Sequence, residues 1–459
     1  MKNPLLVPEL RDNLAKNNLK ALKEFAESAH PVVVAEFLSA LTVPEIWKIL
    51  SLADPEVRGE IFCQLDEDVQ LEMAGTLRRQ ELALLVSDMP PDDRVDLLKR
   101  IPDDLREAIL PALAQAERED IRRLSSYEEG TAGAVMTSDY ATLTPELTAA
   151  QAIEKLRKEA PNKETVYYAY VLDQNRRLIG FVSLKDLILA RSQDRIESFM
   201  HQDVIFAHTL DDQEDAARTI QKYDLLALPV INGNDVLVGI ITHDDALDII
   251  TQEHTEDLEK FMAIAGSHEG AVYMKTSALG HFRNRVVWVV ALALLGLVSG
   301  FIVQNFEGLL LQFAILAAFM PMLADTGGNT GSQSATLVVR ALALKEISTR
   351  DVFRILAKEA QVAILLGLVL GIVAYGRVVL FGGGSSVPAG FSLTKIGVAV
   401  AIALSLQVFT ATLIGALLPL TAAKLKFDPA VVASPALTTV VDITGLLIYF
   451  TTAKILLGL

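Results

Sequence analysis

From about residue 286 to its C-terminus, the chain lays down apolar residues in blocks too long for a water-soluble core. A helix crossing a bilayer needs roughly 20 predominantly apolar residues, and five blocks reach that length: 286–306, 309–339, 361–381, 396–423 and 430–457. Hydrocarbon offers no partner for backbone N–H or C=O groups, so such segments are helices. Residues 281–459 therefore read as an all-α transmembrane domain of five helices in a lipid bilayer. The second block is the odd one. It is too long for one plain helix, and from 321 it runs PMLADTGGNTGSQSATLVVRA. Pro321 withholds a helix hydrogen bond, and Gly327 and Gly328 free the backbone to turn. Irregular backbone is tolerated at membrane depth only where it is buried in protein or lines a cavity. The stretch is expected to be the broken part of a helix, with Asn329 and nearby carbonyls turned to a polar path.

Flanking charge sets orientation. Arg283 and Arg285 precede the first block, Arg340, Lys345, Arg350, Arg354 and Lys358 lie between the second and third, and Lys424 and Lys426 between the fourth and fifth. The alternate loops carry Arg377, Lys395 and little else. The N-terminus is expected inside and the C-terminus outside. MKNPLLVPELRDNL has no continuous apolar run of the kind a signal peptide needs, so the large N-terminal half is expected in the cytoplasm. The single cysteine, Cys63, excludes an internal disulfide framework and suits a reducing compartment.

Two carboxylates stand out in the blocks, Asp325 and Asp442. A charge in hydrocarbon is costly and normally faces a bundle interior or a watery path. No basic residue in the blocks is an evident partner for Asp442: Lys454 lies about 18 Å further along a helix. A mobile cation would supply the missing charge. The bland alternative is an Asp442 bonded to the hydroxyls of Thr438, Thr439 or Thr444. Ser434, Thr438 and Gly445 keep the same segment small enough for a helix or a hydrated ion to approach.

The charge of the chain is divided between its halves. Residues 281–459 carry 12 Lys/Arg and 7 Asp/Glu, which leaves 29 against 50 in residues 1–280. An acidic excess repels nucleic acid and attracts cations. Within that half, 1–130 reads as short amphipathic helices broken by Pro and Asp, a superhelical stack of helix pairs. Residues 131–250 contain a repeat: VYYAYVLDQNRRLIGFVSLKDLI is matched by LLALPVINGNDVLVGIITHDDAL, with Gly180 opposite Gly239. Each copy opens on a Met-containing element, VMTSDY or FMHQDV, followed by a helix, two strands and a helix. This resembles a tandem CBS domain pair, an α/β module that commonly binds adenine nucleotides between its repeats. A connecting helix follows within 246–280, dense in Glu253, Glu256, Asp257 and Glu259. Like charges at this spacing destabilise a lone helix, and a divalent cation would neutralise them. Mg2+ keeps several waters and uses one or two carboxylates, so no fixed ligand spacing is expected.

The order of parts, with GGNTGSQSATL at 327–337 and FDPAVVASPALTTVVDITGLL at 427–447, resembles the MgtE family of magnesium channels and transporters over nearly the whole chain. The resemblance implies a homodimer in the inner membrane that is not an enzyme, with Mg2+ as substrate and regulator. The pore would run between the two membrane domains, lined by the second and fifth blocks. Asp442 would be the selectivity carboxylate, with Asn329, Ser434, Thr438 and Gly445 near the ion and Asp325 an added carboxylate. Regulatory Mg2+ would bind Glu60, Asp92 and Asp96, then Glu214, Asp224, Asp245 and Asp248, then Glu253, Glu256 and Asp257, and close the pore. ATP would bind at Tyr168, Lys185, Asp186 and Leu225. Here the chain departs from nucleotide-binding relatives, because Leu225 offers no stacking face and Lys185 no planar fork.

Other classes fit less well. A CBS-regulated anion channel would want a basic residue at membrane depth. A carrier of Co2+, Ni2+ or Zn2+ would want His or Cys in the blocks. An enzyme would want a recognisable constellation, and GGNTGSQ lacks the Lys of a phosphate loop.

Overall fold

The computed structural model describes residues 7–160, 163–264, 276–381, 388, 390–430 and 435–459. The chain forms two compact units, Met1–Glu253 and His254–Leu459.

The first unit opens with ten helices, α1 (Val7–Ala15) to α10 (Gln115–Leu124). Their first residues are Val7, Leu19, Pro31, Val43, Pro55, Glu67, Arg79, Pro91, Asp103 and Gln115, one helix every 12 residues. Pro31, Pro55 and Pro91 sit in the first turn, where a missing N–H costs nothing. From α2 on, each helix touches the next but one: α2 (Leu19–Ser28), α4 (Val43–Leu50), α6 (Glu67–Thr76), α8 (Pro91–Arg100) and α10 form one layer, and α3 (Pro31–Leu38), α5 (Pro55–Cys63), α7 (Arg79–Asp88) and α9 (Asp103–Ile109) the other. The 24-residue pair is thus the repeating step of a superhelical stack. Equivalent side chains close equivalent helix ends. Gln70 Nε2 donates to the carbonyls of Phe62, Cys63 and Leu65 at the end of α5 (Pro55–Cys63). Twenty-four residues on, buried Arg94 donates to Val86, Ser87 and Met89 at the end of α7 (Arg79–Asp88). The last carbonyls of a helix lack partners of their own, so both side chains satisfy groups that burial would otherwise penalise.

The CBS repeats form two three-stranded sheets of identical plan. In the first, β1 (Tyr140–Leu143) pairs parallel with β2 (Thr165–Leu172), which pairs antiparallel with β3 (Leu178–Ser183). In the second, β4 (Ala207–His208), β5 (Ala227–Ile231) and β6 (Leu237–Thr242) do the same. Parallel neighbours need a crossover, provided by α11 (Ala149–Glu159) and α14 (Gln213–Tyr223). The helices α12 (Leu184–Leu189) and α13 (Ile196–Phe199) link the copies. Gly180 pairs with Val171, and Gly239 with Val230, at matching points. A Cβ on Gly180 would lie 2.8 Å from the His201 carbonyl, and one on Gly239 2.9 Å from that of Thr137. The Met-containing element of each copy therefore packs on the glycine of the other. Thr137 and Ile240 exchange backbone bonds, as do Phe181 and His201.

Helix α15 (His243–Phe261) is the connecting helix; residues 265–275 of the expected connecting region lie outside the described residues. The membrane unit follows with α16 (Ala278–Asn305), α17 (Glu307–Gln312), α18 (Ala314–Ala317), α19 (Met320–Ala343), α20 (Val352–Phe381), α21 (Leu393–Lys424) and α22 (Pro435–Leu457). Among the described residues four helices, not five, are long and apolar enough to cross a membrane: Ala278–Asn305, Thr349–Phe381, Leu393–Lys424 and Ala436–Leu457. The expected second span is divided into α17, α18 and α19, and the polar residues of α19 lower its apolar content.

The GGN stretch is also not where the backbone breaks. Residues 320–343 are one continuous helix, with Pro321 in its first turn. The breaks come earlier, at Phe313 (φ −125, ψ 69) and at Ala318–Phe319. They are enclosed by protein, as hydrocarbon demands. Phe313 and Leu316 are fully buried, the Phe313 ring meets Phe391 edge-on at 4.9 Å, and the Tyr449 hydroxyl donates to the Leu316 carbonyl at 3.0 Å.

The glycines of α19 serve proximity instead. A methyl on Gly415 of α21 would collide with the Gly331 carbonyl, and one on Gly331 would lie 3.2 Å from the Ala411 carbonyl. Helices α19 and α21 cross backbone to backbone. Gly415→Ala should lower the melting temperature of the detergent-solubilised protein, a loss of about 1–3 kcal/mol. Gly296→Ala, where nothing lies within 4 Å, should not. Equal melting of the two variants would remove the backbone contact from its structural role.

Candidate functional site

Helix α19 has two contrasting faces. Gly327, Gly328, Gly331, Ser334, Ala335 and Val338 are buried in the bundle. Asp325, Asn329, Gln333 and Thr336, at spacings of four, four and three, are exposed along the other side. Asn329 Nδ2 donates to Asp325 Oδ1 at 3.2 Å, one turn apart. Asp325 thus orients the Asn329 amide and does not cap a break. Helix α22 packs against the same segment: a Cβ on Gly328 would lie 3.2 Å from Thr438 Cγ2. The structure therefore brings the turn before Asn329 against α22 at Thr438 and Val441. Ser434 lies outside the described residues.

The hydroxyl of Thr444 does not serve Asp442. It donates to the Val440 carbonyl at 2.8 Å, the back-bonding common for Thr within helices. Among the described residues no donor reaches Oδ1 of Asp442, which is shielded from solvent within the protomer.

In the first unit, three acidic segments meet. Asp92 and Asp93 open α8 (Pro91–Arg100), Glu164 precedes β2, and Asp244, Asp245 and Asp248 open α15. Burial first, then repulsion from Asp93, Asp245 and Glu164, holds Asp92 well above the usual carboxylate range. Its Oδ1 has no donor among the described residues. Burial, then Asp245, Asp244 and Asp93, pushes Glu164 up to about 7. Burial raises Asp245 to about 6, although the Thr242 hydroxyl donates to its carboxylate. No described group of three His, Cys, Asp or Glu side chains forms a ready metal cage. Pairs of carboxylates under strain are what a cation that keeps its waters can use.

The other expected sensor carboxylates are not drawn into this cluster. Glu60 is exposed, its pKa raised by partial burial and by Glu56. Asp96 lies 3.8 Å from Lys99, Glu214 pairs with Arg218, and Asp224 ends α14 in the left-handed region at φ 50. Glu253 accepts from Gln213 at 2.6 Å. At the far end of α15, within the membrane unit, Lys260 bridges Glu256 at 2.8 Å and Asp428 at 3.1 Å. Burial and then Asp428 raise Asp257. Phe261 packs with Ala335, Ala411, Leu437 and Val441.

Tyr168 and Leu225 line one cavity of about 90 Å³ with Phe181, Asp203 and Pro229. Lys185 and Asp186 are not part of that lining. Asp186 caps α12, accepting from Ser183, and lies 3.1 Å from His201 Nε2.

Four segments match three known family patterns: the MgtE intracellular N domain over 29–130, the CBS domain over 132–193 and 196–252, and the MgtE divalent cation transporter domain over 320–452. The magnesium transporter MgtE of Thermus thermophilus is 35% identical over 455 residues, 98% of each chain. The chain belongs to the MgtE family of magnesium transporters. The Bacillus subtilis MgtE is 33% identical over 91% of this chain and 87% of its own. A crystal structure of the soluble part of a magnesium transporter superposes with a TM-score of 0.52 and 31% identity, covering 54% of this chain and 97% of that one.

Against this family background, sequence reasoning left several groups out. Asp93, Glu164 and Asp244 belong to the acidic cluster as much as Asp92 and Asp245 do. Glu359 of α20 accepts from buried Ser334 at 2.8 Å, inside the glycine-rich segment. Gln407 of α21 is 1% exposed, its amide lodged between Gly327 and Gly445. An amide inside the run SLQVF was the available signal.

The raised carboxylates give the cytoplasmic unit a pH dependence of definite sign. Folded values of about 7 for Glu164 and about 6 for Asp245 exceed the ordinary 4.5 and 3.8. Their stabilising contribution is complete below about pH 4 and is lost as pH rises through 6 and 7. In chelator, Glu164→Gln should flatten the decline in melting temperature across this window. Added Mg2+ should flatten it in the parent protein. Parent and variant profiles that run parallel from pH 4 to 7 would show that Glu164 is not strained.

Proposed function

We propose that the chain is one half of a homodimeric, Mg2+-selective channel in the inner membrane, open to influx and closed by intracellular Mg2+. The observation that carries this reading is the exposed polar stripe of α19, a helix whose buried face packs on α22, the helix of Asp442. Asp325, Asn329, Gln333 and Thr336 cannot face hydrocarbon cheaply. A second copy, with its own stripe opposite, would enclose them in a watery path. In this reading α17–α19 form a composite fifth crossing. The N-terminus is then cytoplasmic and the C-terminus outside, as the flanking charges favour.

Two Asp442 carboxylates on one axis are satisfied by one dication. Stripping Mg2+ of its waters is unfavourable, so the hydrated ion is the species that passes, with Asn329, Ser434, Thr438 and Gly445 around it. An inside-negative potential supplies about 2.3 kcal/mol per charge per 100 mV, twice that for Mg2+. No covalent chemistry is required.

Closure is linkage: regulatory Mg2+ must bind the closed arrangement more tightly than the open one. Asp92 and Asp93 meeting Glu164, Asp244 and Asp245 supply the differential term, because a cation removes a repulsion present only when these faces meet. Glu60, Asp96, Glu214, Asp224, Asp248, Glu253, Glu256 and Asp257 act as further sensor carboxylates. ATP, held beside Tyr168 and Leu225 with Lys185 and Asp186 at the margin, tunes the CBS pair.

Asp442→Ala should abolish Mg2+ uptake while membrane insertion is retained; normal uptake would sink the pore assignment. Neutralising Asp92, Asp93, Glu164, Asp244 and Asp245 together should leave currents that persist at high internal Mg2+ in patch-clamp recordings. Normal closure of that variant would place the sensor elsewhere.

A further inference from the structure

We propose that Gln407 is a specificity-determining residue of the ion path, its side-chain oxygen acting with Asp442 Oδ1 as a second acceptor for a water-bearing dication. The proposal rests on the assignment of Asp442 to the path.

Gln407 sits in α21, whose other buried residues are apolar or glycine except Thr412. It is 1% exposed, and Oε1 is buried with no donor among the described residues. Two neighbouring helices make room for this amide. A Cβ on Gly327 of α19 would run into Nε2, and one on Gly445 of α22 would lie 3.0 Å from Nε2 and from Cγ. The side chain thus bridges the two helices that carry the polar stripe and Asp442. Asp442 lies three residues before Gly445 on α22, and its Oδ1 is likewise buried and lacks a donor.

An amide buried without its hydrogen bonds destabilises the fold. Met would fill the same space without that cost. The chemistry of the place is selective: adjacent helices each carry a buried oxygen without a donor, one on a carboxylate, and Gly445 leaves the amide uncovered on the side of α22. Acceptors and negative charge disfavour an anion. They suit a species that presents hydrogen-bond donors in several directions and carries positive charge, as the shell of hydrated Mg2+ does. Gly445 removes the side chain that would stand between that shell and the amide.

The test uses the full-length protein in proteoliposomes, with Mg2+ uptake read by an internal indicator and folding checked by size exclusion. Gln407→Met keeps the volume and removes both polar atoms. It should raise the half-saturating Mg2+ concentration about tenfold and lower the preference for Mg2+ over Na+. Gln407→Glu keeps acceptor oxygens and adds charge, and should lower the half-saturating concentration or sharpen divalent preference. A Met variant with parental half-saturation and selectivity would show that the amide only fills space, and would overturn the inference. If the Met variant does not fold, the Glu variant decides: parental values in it overturn the inference, and a shift towards divalent ions supports it. Asp442→Asn is measured in parallel. Unchanged uptake there would defeat the underlying path assignment, whatever the Gln407 variants do.

Discussion

The contact between the backbones of Gly331 and Gly415 governs the membrane unit. In hydrocarbon there is no apolar surface to hide from water, so helices associate through close packing and hydrogen bonds, and small residues set how near they come. Helix α19 meets α21 with glycine on both sides. That places its buried face in the bundle and commits Asp325, Asn329, Gln333 and Thr336 to the opposite face. The polar stripe is therefore a consequence of packing: residues that cannot enter a glycine-tight contact are left on the exposed side. Buried Ser334, bonded to Glu359 of α20, fastens the same helix on a third side.

The apolar blocks were legible because span length is a property of consecutive residues. What the glycines do was not. Pro321, Gly327 and Gly328 permit a turn, and local reasoning assigned them one. The structure uses Pro321 to start α19 and the glycines to admit a neighbour. Permissiveness and proximity call for the same residue, and only the partner helix separates them. The actual break, at Phe313, carries a large aromatic residue and no turn former. It is held by burial, by Phe391 and by the Tyr449 hydroxyl, all distant in sequence.

In the cytoplasmic half the repeat could be read directly, and Gly180 and Gly239 occupy equivalent points of the two sheets. The Met-containing elements were visible as part of the pattern. That each serves the other copy's glycine is a tertiary fact. Carboxylate density was equally visible, but it is spread so widely that density alone does not choose. Asp92 and Asp245 fall in the acidic cluster. Glu60 and Glu214 do not, and Glu164, unremarkable in KETVYYAY, does. Proximity does the choosing, and it depends on which segments the fold brings face to face.

The even pacing of the ten N-terminal helices has its own meaning. With one start every 12 residues and a repeating step of 24, length in this domain comes in whole increments. An insertion of one pair would lengthen the stack by a single step and leave every later contact in register. An insertion of any other size would turn the following helices away from their layer. The stack is a ruler, and Asp92 and Asp93 are marks on it. Their distance from the far end is set by the number of pairs before them, a quantity that evolution or a protein engineer can change without altering a single acidic residue.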